Sequence, residues 1–188
     1  MILLVLGVLL WCGLHLMKTV TPGMRGALID QLGEKRHKVA IAVGIGLSIL
    51  LMIFGWRATV PTFVYQPPLW GAHLAPVLVL VAFLFIQASH GSTRIKRVLR
   101  HPMLTGFALW ALAHLLANGD VRSVILFGGL GAWALLEVVL INRREGVWVR
   151  PEPGPWSAEL KHLAIGVGIY LVVLIVHPYL FGVSPLPY

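Results

Sequence analysis

Six long apolar runs occupy most of this 188-residue chain, and the charged residues lie in the gaps between them. Most runs approach the roughly 20 residues of helix that cross a bilayer, and they are apolar on all sides. Because lipid cannot satisfy backbone polar groups, each run must be helical. The runs cover residues 1–17, 39–56, 69–88, 103–117, 121–141 and 163–181. We therefore expect an all-α, polytopic membrane bundle of six transmembrane helices, forming a single domain over residues 1–188.

The basic residues are distributed unevenly among the five gaps. Thirteen of the 15 Lys and Arg residues lie in the first, third and fifth gaps, and only Arg57 and Arg122 lie in the other two. Cytoplasmic loops of membrane proteins carry such an excess of positive charge, so we expect the odd gaps in the cytoplasm and both termini outside. The odd gaps also suit anionic lipid head groups. Despite the net charge of +8, this distribution argues against nucleic acid as a partner.

Local signals define the ends of several helices. In the first gap, Pro22 and Gly23 indicate a break, and a short surface helix is expected at residues 30–36. The fourth gap, 118–120, reads Asn-Gly-Asp, which is typical of a helix stop followed directly by a new helix start. The proline-rich fifth gap is expected to be extended.

Eight histidines in a chain with so few polar residues are the main clue to function. His114 lies among apolar residues inside the fourth run, and His15 lies late in the first. For each, an interhelical hydrogen bond and a ligand role are both open. Two neutral imidazoles facing each other across a helical bundle are suitable axial ligands for haem iron. No carboxylate-rich cluster accompanies them, which argues against a di-iron or zinc-hydrolase site.

Glu137 is the one acidic residue well inside a run. It precedes Arg143 and Arg144 by about two turns, so we expect a partly snorkelled ion pair, with a proton relay or a cofactor contact as the alternative. At the start of the fourth run, Arg100 and His101 precede Pro102, which suits a first helical turn. Backbone donors at such a helix start favour an anion, so Arg100 and His101 are candidate cofactor-binding residues.

The segment RHPMLTGFALWALAHLLANGD, at residues 100–120, resembles the NnrU family of bacterial membrane proteins. LGEKR at 32–36 and HPYLFGVSP at 177–185 support the resemblance, which covers nearly the whole chain. It implies a multi-pass protein of the bacterial inner membrane with a redox-linked accessory role in denitrification or nitrogen-oxide metabolism. Besides the lipid bilayer, the implied partners are an apolar polyene or a membrane redox protein.

NnrU-like proteins are in turn similar to 15-cis-zeta-carotene isomerase, which binds haem b through two histidines. This likeness implies haem b as the cofactor and His15 and His114 as its axial ligands. It also leaves open a haem-dependent carotenoid cis-trans isomerase as the alternative function. The chain departs from the isomerase at Ala111, where that enzyme has a cysteine three residues before the second histidine, so a thiolate ligand swap is excluded.

Helix geometry raises a difficulty for this pair. At ~1.5 Å of rise per residue, the predicted topology separates His15 from His114 by roughly 15 Å along the membrane normal. A tilt of the helices, or a deeper position of the short fourth helix in the membrane, would reduce that separation in part. Otherwise, His90 or His101 is the better partner for His15, because both lie at its depth.

A third reading comes from the start of the fourth run. Arg100, His101 and Pro102 followed by Gly106 also resemble the cofactor-binding helix of isoprenylcysteine-type membrane methyltransferases, where the Arg-His-Pro end contacts S-adenosylmethionine. The later glutamate-then-tyrosine pattern of those enzymes is missing, since Glu137 is not followed by a tyrosine. An S-adenosylmethionine-dependent methyltransferase is therefore the runner-up from another class.

Overall fold

A computed structural model describes residues 1–186 of the chain. Its helices are α1 (Ile2–Val20), α2 (Pro22–Leu32), α3 (Glu34–Ala58), α4 (Gly71–Ala88), α5 (Pro102–Ala117), α6 (Val121–Glu145) and α7 (Trp156–Phe181). A 3-10 turn covers Arg94–Arg97, and α6 contains a π-helical turn at Val124–Gly128. The all-α prediction is thus confirmed for the described residues. The predicted external C-terminus falls on residues 187–188, which lie outside them.

Five of these helices, α1, α3, α4, α6 and α7, are long and apolar enough to cross a membrane. Helix α5 is equally apolar in character but has only 16 residues. The chain therefore has the helices of a multi-pass membrane protein. Whether α5 makes a sixth crossing stays a prediction, as do the external termini.

The gaps between the apolar runs meet in two groups, one at each end of the bundle. The second and fourth gaps join where the backbone N–H groups of Val64 and Tyr65 both donate to the carbonyl of Gly119, at 2.8 and 3.1 Å. The third and fifth gaps join through Arg94, whose backbone N–H donates to the Glu159 carboxylate at 2.6 Å. These contacts place the second gap with the fourth and the third gap with the fifth, which is the grouping that the distribution of basic residues indicates.

Glycines set the distance between neighbouring helices. A Cβ placed on Gly7 of α1 would lie 2.8 Å from the backbone nitrogen of Met52 in α3. A Cβ on Gly106 of α5 would lie 2.7 Å from the carbonyl oxygen of Ala82 in α4. Real side chains do not approach so closely, so these pairs of backbones are in direct contact. The positions of α1 against α3 and of α4 against α5 are fixed accordingly.

Three local predictions have different outcomes. In the first gap, the break expected at Pro22 and Gly23 is confirmed: α1 ends at Val20 and α2 begins at Pro22, because proline suits a first turn. The surface helix expected at residues 30–36 is wrong as placed, since Gly33, at φ 78°, ends α2 and precedes α3. The stop and start in the fourth gap are confirmed: α5 ends before Asn118, and the Asp120 carboxylate caps α6.

Candidate functional site

His114, near the end of α5, has a fixed tautomer. Its Nδ1 lies 2.8 Å from the carbonyl oxygen of Trp110, one helical turn earlier. A carbonyl only accepts hydrogen bonds, so Nδ1 must carry the proton and donate it. In the neutral ring, Nε2 then keeps its lone pair and can serve as a metal ligand or a hydrogen-bond acceptor.

Aromatic rings surround His114. Phe127 stacks on it, with 4.2 Å between ring centroids and 23° between planes, and Trp110 lies at 4.9 Å. Phe127 belongs to the π-helical turn of α6, and such turns are frequent at functional sites. His177 of α7 also lies nearby, with its ring centroid 6.5 Å from that of His114. The structure therefore pairs His114 with His177.

His114 and His177 both line a cavity of ≈ 320 Å³. This volume is at the lower end of the roughly 300–1,000 Å³ that small-molecule sites occupy. Most of the wall is apolar and comes from α4, α5, the π-helical turn of α6, and α7. Its aromatic members include Trp56, Phe83 and Tyr170. The cavity thus suits a mostly apolar ligand that also offers a group for imidazole nitrogen.

The segment after α7 forms one wall of this cavity. Nδ1 of His177 donates to the carbonyl oxygen of Val183 at 3.0 Å, which folds residues 183–186 back over the opening. The Ser184 hydroxyl donates to the carbonyl of Leu186 at 3.0 Å and tightens the fold-back. Because its Nδ1 is a donor, the neutral ring of His177 also keeps a lone pair on Nε2.

His15 repeats the local arrangement of His114 in α1. Its Nδ1 donates to the carbonyl oxygen of Trp11 at 2.8 Å, and its ring stacks on that indole at 4.3 Å. The two histidines thus share the spacing Trp-x-x-x-His, at Trp11 and His15 and at Trp110 and His114. This shared spacing is visible in the sequence alone and could have indicated that the two histidines have the same local arrangement.

The structure does not bring His15 and His114 to one cavity. His15 lines a second cavity of ≈ 270 Å³ near the start of α3. Aromatic rings at centroid distances of 5.7–6.3 Å run between the two histidines, from Trp11 and Trp133 through Phe107 to Trp110. These rings lie between His15 and His114, whereas His114 and His177 line the same cavity.

Arg100 and His101 have partners at the opposite end of α5 from His114. The Arg100 guanidinium donates to the carbonyl of Gly146 at 2.8 Å and lies 3.4 Å from the Glu145 carboxylate. His101 Nε2 lies 3.0 Å from the side-chain oxygen of Asn142. These contacts tie the start of α5 to the end of α6. They place both residues outside the cavity of His114.

Glu137 is buried, with 5% of its surface exposed. It accepts a hydrogen bond from the Thr19 hydroxyl at 3.1 Å. The expected ion pair with Arg143 or Arg144 is wrong, because Arg144 lies instead against Glu145, at 3.1 Å. Glu137 lies against α1 through Thr19, whereas Arg143 and Arg144 follow it by nearly two turns, roughly 10 Å further along the axis of α6.

Tyr65 holds the end of α5 that carries His114, and Asp120 caps the start of α6. The Tyr65 hydroxyl donates to the carbonyls of Leu115 and Asn118. Burial acts to raise the pKa of Asp120, but hydrogen bonds from Arg122 and Ser123 outweigh it and hold that pKa below its ordinary 3.8. Burial, and then the charge of Asp120, raise the pKa of Tyr65 above its usual value.

Comparison with protein families matches residues 3–185 to the family described as NnrU protein. No curated protein and no solved structure matches the chain. Across residues 1–186, no three His, Cys, Asp or Glu side chains form a group that would hold a metal ion.

Proposed function

Since this chain belongs to the NnrU family, we propose that it binds haem b within a bacterial inner membrane, in the cavity lined by His114 and His177. The observation that carries the proposal is the geometry of these two rings. Their centroids are 6.5 Å apart, their planes are 25° apart, and each ring donates from Nδ1 to a backbone carbonyl. Each therefore keeps Nε2 for a shared ligand in an apolar cavity.

Each part of the cavity has a definite role in this proposal. His114 and His177 would hold the iron. The rings of Trp110 and Phe127 hold the His114 imidazole in place, since they lie 4.9 and 4.2 Å from it. Residues 183–186 would contact the bound group from one side of the cavity, which they line. Haem supplies a one-electron change at iron when bound, so the protein would serve as a redox-linked accessory in nitrogen-oxide metabolism.

An apolar polyene is the second ligand that this cavity would accept. The aromatic walls formed by Trp56, Phe83 and Tyr170 suit the π-system of a conjugated chain. This supports a carotenoid cis-trans isomerase as the second candidate function. The methyltransferase has less support, because the Arg100 guanidinium is already bound to Gly146 and Glu145.

Two measurements test the proposal. The purified protein should show a haem Soret band, and His114→Ala should abolish or shift it. His73→Ala is the matched control, since that histidine is exposed and lies outside the cavity. A protein that stays colourless after haem supplementation would refute haem binding. In cells, a deletion strain should show altered nitrite and nitric oxide turnover, whereas accumulation of a 15-cis carotene with normal turnover would favour the isomerase.

A further inference from the structure

The second cavity, of ≈ 270 Å³, lies where the end of α1, helix α2 and the start of α3 meet. Lys18, Arg25, Glu34, His37 and Lys38 line one part of it, and apolar side chains line the rest. This corner belongs to the first gap, on the predicted cytoplasmic side. None of these charged residues takes part in the cavity of His114.

His37 is the feature that distinguishes this corner from an ordinary basic surface. Its exposed fraction is 6%, and it is the one buried residue between Gln31 and Leu47. Its Nε2 is buried and has no hydrogen-bond partner within residues 1–186. Buried polar nitrogens in proteins nearly always have a partner. A ligand oxygen in the cavity that His37 lines would supply one.

The charges around the cavity leave a positive surplus. Lys38 and Glu34 form an ion pair at 2.7 Å and so cancel each other. Lys18 and Arg25 make no ion pair within residues 1–186. Two cations therefore remain for an anion, and the Arg25 guanidinium suits a phosphate in particular, because its donors match phosphate oxygens in pairs.

The apolar part of the lining indicates what the anion is attached to. Leu14, Ile41 and Ile45 line the cavity one to two turns further into α1 and α3 than the charged residues do. Both helices are long and apolar enough to cross a membrane. The cavity is thus charged toward the predicted head-group level and apolar toward the bilayer interior, which is the polarity of a phospholipid.

We propose that this corner binds the phosphate group of one anionic glycerophospholipid. Arg25 and Lys18 neutralise the phosphate, His37 forms a hydrogen bond to one of its oxygens, and Leu14, Ile41 and Ile45 contact the start of an acyl chain. The site is separate from the proposed haem cavity, so each proposal stands or fails alone.

Native mass spectrometry of the full chain, purified from equimolar phosphatidylglycerol and phosphatidylcholine, tests the site. We expect one phosphatidylglycerol retained per chain. Arg25→Gln should lower that retention about five-fold, the effect of one interfacial cation, and Arg25→Lys should largely restore it. His37→Leu should also lower retention. Arg36→Gln is the matched control, because it removes a charge from the same segment at an exposed position outside the cavity.

Three results would overturn the proposal. Equal losses in Arg25→Gln and Arg36→Gln would mean diffuse attraction to the surface. Equal retention of phosphatidylcholine would mean that the charge of the lipid is not recognised. Displacement of the lipid by inorganic phosphate at the same concentration would assign the site to free phosphate. Circular dichroism of each variant identifies a loss of folding, and the Arg25→Lys variant keeps the test valid if Arg25→Gln unfolds.

Discussion

The imidazoles of His114 and His177 face the same cavity at a centroid distance of 6.5 Å, with only 25° between their planes. His114 belongs to α5 and His177 to α7, and the two residues are 63 positions apart in the sequence. Each ring is held by its own Nδ1 bond to a backbone carbonyl, and the two held rings leave two Nε2 atoms for one ligand. This relationship gives the sharpest test of the haem proposal.

Replacing the second histidine should distinguish the two possible ligand pairs. His177→Ala should remove or shift the Soret band as strongly as His114→Ala does, because both rings would hold the iron. His15→Ala should leave the band in place, since His15 lines the other cavity. Absorption spectra of the three purified variants decide the matter. A band lost in His15→Ala and kept in His177→Ala would instead support His15 and His114, the pair that the family resemblance implies.

Gly106→Leu should destabilise the bundle by about 1–3 kcal/mol, the usual effect of overpacking. Its new side chain would meet the Ala82 carbonyl and force α4 and α5 apart. The midpoint of thermal unfolding in detergent measures the change. Gly46→Leu is the control, because nothing lies within 4 Å of a Cβ at Gly46. Similar losses in both variants would show that helix propensity, and not close approach, is responsible.

Asp120→Ala should cost about 1 kcal/mol, because the carboxylate caps α6 through the backbone N–H groups of Arg122 and Ser123. The pKa of Asp120 in the folded protein is below its ordinary 3.8. Its ionised form therefore stabilises the fold above that ordinary value, and the contribution is lost as the pH falls through the lower folded-state pKa.

Unfolding midpoints measured as a function of pH check this assignment. The wild-type midpoint should fall in acid more steeply than that of Asp120→Asn, which keeps a capping oxygen but has no charge to lose. Identical acid profiles for the two proteins would mean that Asp120 does not contribute to the pH dependence.

Topology reporters fused after residues 38, 66, 100, 120 and 155 should alternate between the cytoplasm and the outside, beginning in the cytoplasm. The expectation rests on the excess of Lys and Arg in the odd gaps. The fusions at 100 and 120 determine whether α5 crosses the membrane. This crossing needs the test because α5 has only 16 residues, fewer than the other apolar helices. A shared location for these two fusions would mean that α5 does not cross the membrane.

The sequence was sufficient for the long apolar helices, because apolar length is a local property, but it was not sufficient for α2, which covers Pro22–Leu32. His114 is conspicuous in the sequence, because a histidine among apolar residues is unusual in a membrane helix. The sequence was not sufficient for the neighbour of His114 in the cavity. His177 resembles an ordinary histidine near a helix end, and only the packing of α7 in the folded chain places it beside the cavity that His114 lines.

The predicted ion pair of Glu137 with Arg143 or Arg144 was wrong for a related reason. Which neighbour a buried side chain meets depends on the rotation of its helix, and that rotation depends on contacts made elsewhere along the chain. The bond from Thr19 to Glu137 joins residues 118 positions apart. The short-range spacing to Arg143 and Arg144 carried no information about it.

The π-helical turn at Val124–Gly128 controls that rotation. Such a turn holds one residue more than an α-helical turn, so everything after it is shifted by about 100° around the helix axis. Phe127, inside the turn, stacks on His114, whereas Trp133, beyond it, lies 4.9 Å from the ring of His15. One inserted residue thus lets a single helix place one aromatic ring against each of two histidines. Deleting a residue from this turn would bring the two halves of α6 back into phase and leave one of these histidines without its aromatic contact.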